Sequence, residues 1–352
     1  MNETILITGC GGHFIRDTIR SYRAGKRNLH IIGVASSLDE SIRPELDEYY
    51  QVPVSTDAGY IKTLLSICSE RNVDVLIPNV DEELMDLSES ESLFQNIGTR
   101  VSIAPRGALA KASDKIQFMQ FLKSEGLPHP EFATFRTVDG FVKAVGEIGY
   151  PDKPVVIKMS GKAGSVGVRI IDQTVDMFEL FATKKPGHKY MTFAAMKEML
   201  ESRENLPEML AQEYLPGQEY STDILADHGR EIYITGRMNT VCENSIPMES
   251  VLTKNEAAYQ ISREIVWLLG LDGNVGIDFI FNRDGTPIPI EVNPRITATI
   301  SLSTAAGVNL AYLQVERLLG GKLPDVKPAY GTEMTRRRIP MYCAGDGIEW
   351  LM

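Results

Sequence analysis

The 352-residue chain is poor in the residues that build metal centres and covalent frames. Its four cysteines, Cys10, Cys68, Cys242 and Cys343, lie far apart and form no C-x-x-C pair. That spacing supports neither a zinc cluster nor a disulfide framework and reads as the reduced thiols of a cytoplasmic protein. The five histidines are equally scattered, with no H-x-x-x-H or H-E-x-x-H, so no histidine-based metal site is expected. No apolar run approaches the ~18 residues needed to cross a bilayer. The opening Met-Asn-Glu-Thr lacks the basic start and apolar core of a signal peptide. Positive charge is scarce too: 36 Lys and Arg stand against 47 Asp and Glu, a net charge of −11. Nucleic acid is therefore not expected as the main partner, nor is a membrane. The length predicts two domains, or three if one is small.

What is present is an alternation of short apolar runs and helical segments. Thr4–Thr8 reads as a strand, Phe14 to about Ala24 as a helix and His30–Ala35 as a second strand. Tyr60–Arg71 and Val73–Pro78 repeat the helix and strand. Strands of this length separated by helices indicate a parallel doubly wound sheet. The pattern fades near Val101–Ala104, which predicts a first boundary at about 105–110. Ser113-Asp114 can then cap a helix whose apolar face is Ile116, Phe118, Met119, Phe121 and Leu122. Strands are predicted at Pro154–Ser160, Val168–Asp172 and Met209–Tyr214, with a polar helical stretch over 174–207. Tyr220–Leu225 and Ile232–Arg237 read as an antiparallel pair, and Ala257–Leu269 and Ala311–Leu319 as helices.

Between the first strand and helix stands Gly9-Cys10-Gly11-Gly12. A dinucleotide fingerprint wants a third small residue three positions after the second glycine, where this chain has Phe14. The simpler reading is a tight strand-to-helix turn; NAD binding is the alternative.

The most informative segment runs from Gly276 to Arg295. Asp284-Gly285 between β-rich runs is a two-residue hairpin signal. Such a turn makes Arg283 face Thr286 and Asp278 face Glu291, with Asn293 on the same face two residues on. Ile277, Phe279, Phe281, Ile288, Ile290 and Val292 form the core side. Two opposed carboxylates repel unless a cation lies between them. Oxygen ligands of this kind suit Mg²⁺ (or Mn²⁺), which takes a few carboxylates and completes its shell with phosphates. The competing reading is a polar face on which each carboxylate is paired with Lys or Arg. Arg295 follows as a fixed cation able to hold a phosphoryl group.

Val155–Ser160 places Lys158 in an otherwise apolar strand, a costly position unless an anion meets it. Gly161–Gly167 follows, a glycine-rich loop whose N–H groups can approach phosphate, though it is not a Walker A sequence. Lys115, in the first turn after Ser113-Asp114, reads on its own as a surface residue. The exposed linker Gln212–Glu219 could serve a purine edge and a ribose. Arg237, after an apolar strand, could bind a carboxylate or the γ-phosphate. Asp81 and Glu82, at the end of a parallel strand, could hold an ammonium group.

In order, Ser113-Asp114-Lys115, Ile157-Lys158 with Gly161–Gly167, Gln212–Glu219, Asp278 and Glu291-Val292-Asn293-Pro294-Arg295 resemble the ATP-grasp superfamily. The likeness is greatest to ligases similar to the carbamoyl-phosphate synthetase large subunit. It covers nearly the whole chain, and 74–84 looks like the end of that family's pre-ATP-grasp domain. The resemblance implies a mixed α/β fold: a parallel-sheet pre-ATP-grasp domain over 1–110, a small lobe or lid with its linking helix over 111–212, and a large lobe with the C-terminal tail over 213–352. It implies ATP and Mg²⁺ as cofactors, with Lys115 and Lys158 on the phosphates and Gly164, Ser165 and Gly167 in the loop over them. Glu213 and Leu215 would meet the adenine and Glu219 the ribose. Asp278, Glu291 and Asn293 would hold the metal, and Arg295 the transferred phosphoryl group, with Lys158 and Arg237 beside it in catalysis. Asp278 departs mildly from the family, where Gln or Glu is also common, and the sequence after Gly320 departs most. The implied chemistry is a carboxylate–amine ligation through an acyl phosphate, on small-molecule substrates and with a homodimer as an expected state. A noncatalytic ATP-binding regulator and the NAD-dependent oxidoreductase are the competing functions.

Overall fold

The computed structural model describes residues 3–12, 14–161, 166–185, 188–243 and 246–337, together with the backbone of 342–344 and 347–349. By internal contacts the chain divides into two compact units. One comprises 1–110, 220–277 and 292–352, the other 111–219 and 278–291.

The first unit opens with β1 (Thr4–Ile7), α1 (Ile15–Arg23), β2 (His30–Ala35), β3 (Glu48–Gln51), α2 (Tyr60–Arg71), β4 (Val75–Ile77), α3 (Leu84–Asn96) and β5 (Arg100–Val101), before α4 (Arg106–Ala112). The five strands form one parallel sheet in the order β3-β2-β1-β4-β5. β3 and β5 are the strands of this sheet that hydrophobic pattern does not predict: each face of Glu-Tyr-Tyr-Gln sets one tyrosine beside a polar residue, and β5 is only Arg-Val. The core of the sheet is not closed by the N-terminal segment alone. Ile5, Ile7, Ile31 and Val75 pack in one cluster with Ile296, Ile300, Val308 and Leu310 from the C-terminal part of the same unit. Burial of such aliphatic side chains contributes about 1.5–3 kcal/mol each.

The second unit runs through α5 (Lys115–Ser124), β6 (Phe132–Phe135), α6 (Val138–Ile148), β7 (Val155–Met159), β8 (Val168–Ile171), α7 (Met177–Thr183), β9 (Tyr190–Met191), α8 (Phe193–Glu201) and β10 (Met209–Glu213). Its sheet has the order β6-β10-β7-β8-β9. The stretch 174–207 is two short helices around β9, not one helical run. The starts of these helices are written in the sequence: the side chains of Asp114, Thr137, Asp176 and Thr192 each accept backbone N–H bonds of the first turn. Val155 and Ile157 point from β7, and Met209 and Ala211 from β10, into a core shared with Phe141, Val145, Met196 and Leu200. Period-two alternation therefore turns Val156, Lys158, Leu210 and Gln212 to the opposite face.

The chain then returns to the first unit with β11 (Glu219–Asp227), β12 (Arg230–Glu243), β13 (Ile246–Leu252) and α9 (Glu256–Leu269). β14 (Gly273–Phe281) and β15 (Pro287–Asn293) follow, with 278–291 counted in the second unit, and α10 (Ser301–Ala305), α11 (Leu310–Leu318), β16 (Glu333–Thr335), β17 (Tyr342–Ala344) and β18 (Gly347–Glu349) complete the first. The third sheet has the order β15-β14-β11-β12-β13-β16. Among the described residues no helix is long and apolar enough to cross a membrane.

The β14–β15 turn differs from the two-residue expectation. Asn282 N donates to Thr286 O at 3.0 Å and Gly285 N to Asn282 O at 3.1 Å, so Asn282, not Arg283, faces Thr286. The physical cause is the Asn282 amide: its Oδ1 accepts from Asp284 N at 3.0 Å and Thr286 N at 2.8 Å. Gly285 at φ +77° supplies the left-handed residue that closes a three-residue loop. Farther along, a Cβ on Gly276 would lie 3.7 Å from that of Asn293, side by side as a two-residue turn would have placed them. β15 thus takes up one residue more than β14 between these points.

Candidate active site

In the second unit one carboxylate joins two of the expected phosphate contacts. Asp114 Oδ1 caps α5, accepting from Ile116 N at 3.0 Å and Gln117 N at 2.9 Å. Its Oδ2 accepts the hydroxyl of Ser160, two residues past Lys158. The N-terminus of α5 is thereby fastened to the end of β7. Lys115, which in isolation reads as a surface residue, is only 8% exposed, because the fastening turns the first helical turn inward. Its Nζ donates to Glu291 Oε1 at 2.7 Å.

Lys158 is equally buried, between Leu210 on β10 and Val168 on β8, in an interior strand of the sheet and not on an edge. No hydrogen bond or ion pair within 4 Å reaches its ammonium among the described residues. Desolvation pulls its pKa down to about 8, opposed by the nearby Glu291 carboxylate and reinforced by Lys115 and Lys189. Glu291 accordingly faces cations, and its observed partner is a lysine.

Gln212 shares the Lys158 face, is 2% exposed, and its Oε1 has no partner among the described residues. Sequence reading placed it at the head of an exposed linker; it is instead buried within β10, as counting by twos from the Lys158 register would have shown. Ser113 Oγ, beside Asp114, is a second buried oxygen without a partner among the described residues. Glu213 ends β10, its N–H donating to Glu131 O at 2.8 Å while its Oε2 accepts from Glu131 N at 3.4 Å. Leu215 is buried; Glu219 is exposed at the start of β11. Gly167 closes the mouth of the glycine loop, its carbonyl accepting from Met159 N at 3.1 Å. Gly164 and Ser165 lie outside the described residues. Asp278 is half-buried on β14, and the hairpin bonds the adjoining linker through Gly217 N to Phe281 O at 3.0 Å.

In the first unit the cations are matched by acids. Arg237 on β12 is 3% exposed and ion-paired with Asp223 on β11, whose Oδ1 also accepts from Thr297 Oγ1 at 2.7 Å. Arg237 Nε has no hydrogen-bond partner among the described residues. Asp81 engages Arg295 through both oxygens, at 2.7 Å to Nε and 2.5 Å to Nη2. Glu82 is exposed beside it. Asn293 ends β15, two residues past Glu291. The Gly9–Gly12 turn packs on protein: added Cβ atoms would meet Val80 Cγ2 at 2.8 Å from Gly9 and Ser37 O at 2.7 Å from Gly11.

Known proteins match this pattern. Residues 205–337 match the family described as ATP-grasp in the biosynthetic pathway with Ter operon, and residues 5–102 the PylC-like N-terminal domain. The chain carries an ATP-grasp family domain behind a PylC-like N-terminal domain. The carbamoyl phosphate synthase large chain of Rubrobacter xylanophilus is 25% identical over 249 residues, 67% of this chain and 21% of that protein. The chain thus spans about a fifth to a quarter of the large chains it matches. Among solved structures, N5-carboxyaminoimidazole synthetase from Staphylococcus aureus, complexed with ADP, superposes with a TM-score of 0.69 at 17% identity, covering 94% of this chain and 81% of that one. An L-amino acid ligase from Bacillus licheniformis gives 0.62 at 17%, covering 90% and 74%. The ATP-grasp fold expected from the ordered motifs is therefore the fold of this chain. Nothing in these likenesses supports the oxidoreductase or the noncatalytic regulator.

Proposed function

We propose that this ATP-grasp chain is an ATP-dependent ligase that activates a small carboxylate as an acyl phosphate and passes it to an amine. The observation that carries the reading is the meeting of Lys158, Lys115 and Glu291. A buried ammonium without a hydrogen-bond partner is costly alone and becomes favourable when a polyanion arrives. A carboxylate that already draws cations is a ready ligand for a divalent ion.

In this reading Lys158, Lys115 and the loop bearing Gly164, Ser165 and Gly167 hold the phosphates of ATP. Gln212, Glu213 and Leu215 meet the adenine and Glu219 the ribose. The donors Asp278, Glu291 and Asn293 are all oxygens, the set that Mg²⁺ or Mn²⁺ prefers, and the Lys115–Glu291 pair supports a carboxylate that meets positive charge here. A bound divalent ion would supply charge neutralisation for the phosphates. Arg295 holds the phosphoryl group in transfer, Arg237 offers its unpartnered Nε to the acid, and Glu82 meets the amine. The substrate carboxylate oxygen attacks the γ-phosphorus as the bond to ADP breaks. The amine nitrogen then attacks the acyl carbon, phosphate leaves and the nitrogen gives up a proton to water. Such transfers need positioning and charge neutralisation and no protein nucleophile.

The test is ADP release from Mg·ATP over a panel of amino acids, hydroxy acids and bicarbonate, with Mg·ATP thermal stabilisation alongside. Activity with one pair that Glu291→Ala abolishes supports the reading; unchanged release in that variant overturns it.

A further inference from the structure

We infer that Asp81 is a positioning residue for the ligase chemistry: it fixes the plane of the Arg295 guanidinium, and it is itself held still by a buried lock around Glu83. The inference deepens the proposed function and rests on it for the role of Arg295.

Asp81 lies in the turn after β4, at the carboxyl edge of the parallel sheet. Its two oxygens take the side edge of the guanidinium, Nε and Nη2, in the bidentate fork that sets both distance and plane. Arg295 Nη1 donates to Ile296 O at 3.0 Å. A guanidinium fastened on two sides cannot rotate about its last torsions as a surface arginine does.

A clamp is only as firm as its own anchorage, and the turn bearing Asp81 is built around one acid. Glu83 is completely buried. Its Oε1 accepts from Asn79 N at 2.9 Å, Val80 N at 3.0 Å and Thr8 Oγ1 at 2.5 Å, and its Oε2 accepts the hydroxyl of Tyr60. Four donors on one carboxylate immobilise the two residues before Asp81. Gly9 completes the lock: at φ +65° it lets Val80 approach where a Cβ would stand 2.8 Å from Cγ2. The N-terminal glycine turn thus has a use without a dinucleotide. It seats the turn that aims Arg295.

Positioning and charge make opposite predictions, which separates them. Asp81→Asn removes a negative charge beside Arg295, so orthophosphate added with Mg·ADP should bind as well or a few-fold tighter. The freed guanidinium loses its aim, and kcat for ADP release should fall roughly 10- to 100-fold with KM for ATP unchanged. Asp81→Glu should recover part of the loss, and Asp81→Asn with Arg295→Lys should lose little more than Arg295→Lys alone. Mg·ATP thermal stabilisation, retained in Asp81→Asn, shows that the variant is folded. A kcat equal to wild type in a wild-type-active preparation overturns the inference alone, as does additivity of the two substitutions. Wild type without ADP release over the acid panel overturns the ligase reading and the inference with it.

Discussion

Lys158 and Arg237 are both cations buried in the interior of a sheet, one in each unit, and their surroundings are opposite. Arg237 has its acid, Asp223, supplied by the neighbouring strand and backed by Thr297. Lys158 has no hydrogen-bond partner of its own among the described residues, and the acid that favours its charge, Glu291, bonds Lys115 instead. A buried charge with a built-in partner is balanced before any ligand arrives, whereas one left without a partner gains its balance from a charge brought from outside. Arg295, fixed by Asp81, differs in the same way from Gln212, whose Oε1 has no partner among the described residues.

The sharpest way to break that contrast is at Glu291. Glu291→Gln keeps the shape but removes the charge, and ADP release should fall by about 10²- to 10³-fold, as for loss of one key electrostatic group. Survival of activity would mean that the convergence on Glu291 is structural. Next comes the satisfied pair. Asp223→Asn leaves Arg237 buried without its counter-ion and should cost about 3–5 kcal/mol in denaturant unfolding. A loss below 1 kcal/mol would mean that the Asp223–Arg237 pair does not hold the sheet together.

Lys158 should behave in the reverse sense. Its folded pKa of about 8 lies below the ordinary 10.5, so the unfolded chain binds the proton more tightly. The penalty, roughly 3 kcal/mol from the size of the shift, is fully present below pH 8. It is relieved as pH rises from 8 towards 10.5, where stability gains from this group. Lys158→Met should therefore raise the melting temperature of the nucleotide-free protein at pH 7, remove the gain above pH 8, and abolish stabilisation by Mg·ATP. A melting temperature that falls instead would show that the ammonium is satisfied within the protein. The smallest effect concerns the hairpin that carries Glu291: Asn282→Ala removes two side-chain bonds to backbone and should cost about 1 kcal/mol. No change in unfolding would mean that Gly285 alone sets the loop.

Much of this was legible in the residues. The βα alternation of the first hundred positions, the Asp114 cap and the lone lysine in β7 all follow from local pattern, because each is decided by neighbours in sequence. The hairpin's first pairing was not, since an Asn side chain outcompeted the Asp-Gly signal for the backbone donors of the turn. Nor was the burial of Lys115, which depends on Ser160 reaching Asp114 from 46 positions away. Glu83 was invisible for a related reason: among three consecutive acids, only the folded turn distinguishes the buried one.

Asp114 also joins two things that sequence keeps separate. One oxygen terminates the helix on which Lys115 rides, and the other tethers the exit of the strand on which Lys158 rides. Any force drawing Ser160 outward must be transmitted to the first turn of α5 or else strip that turn of its cap. The two ammonium groups are therefore yoked: a displacement that reaches one cannot leave the other behind without a penalty at the helix start.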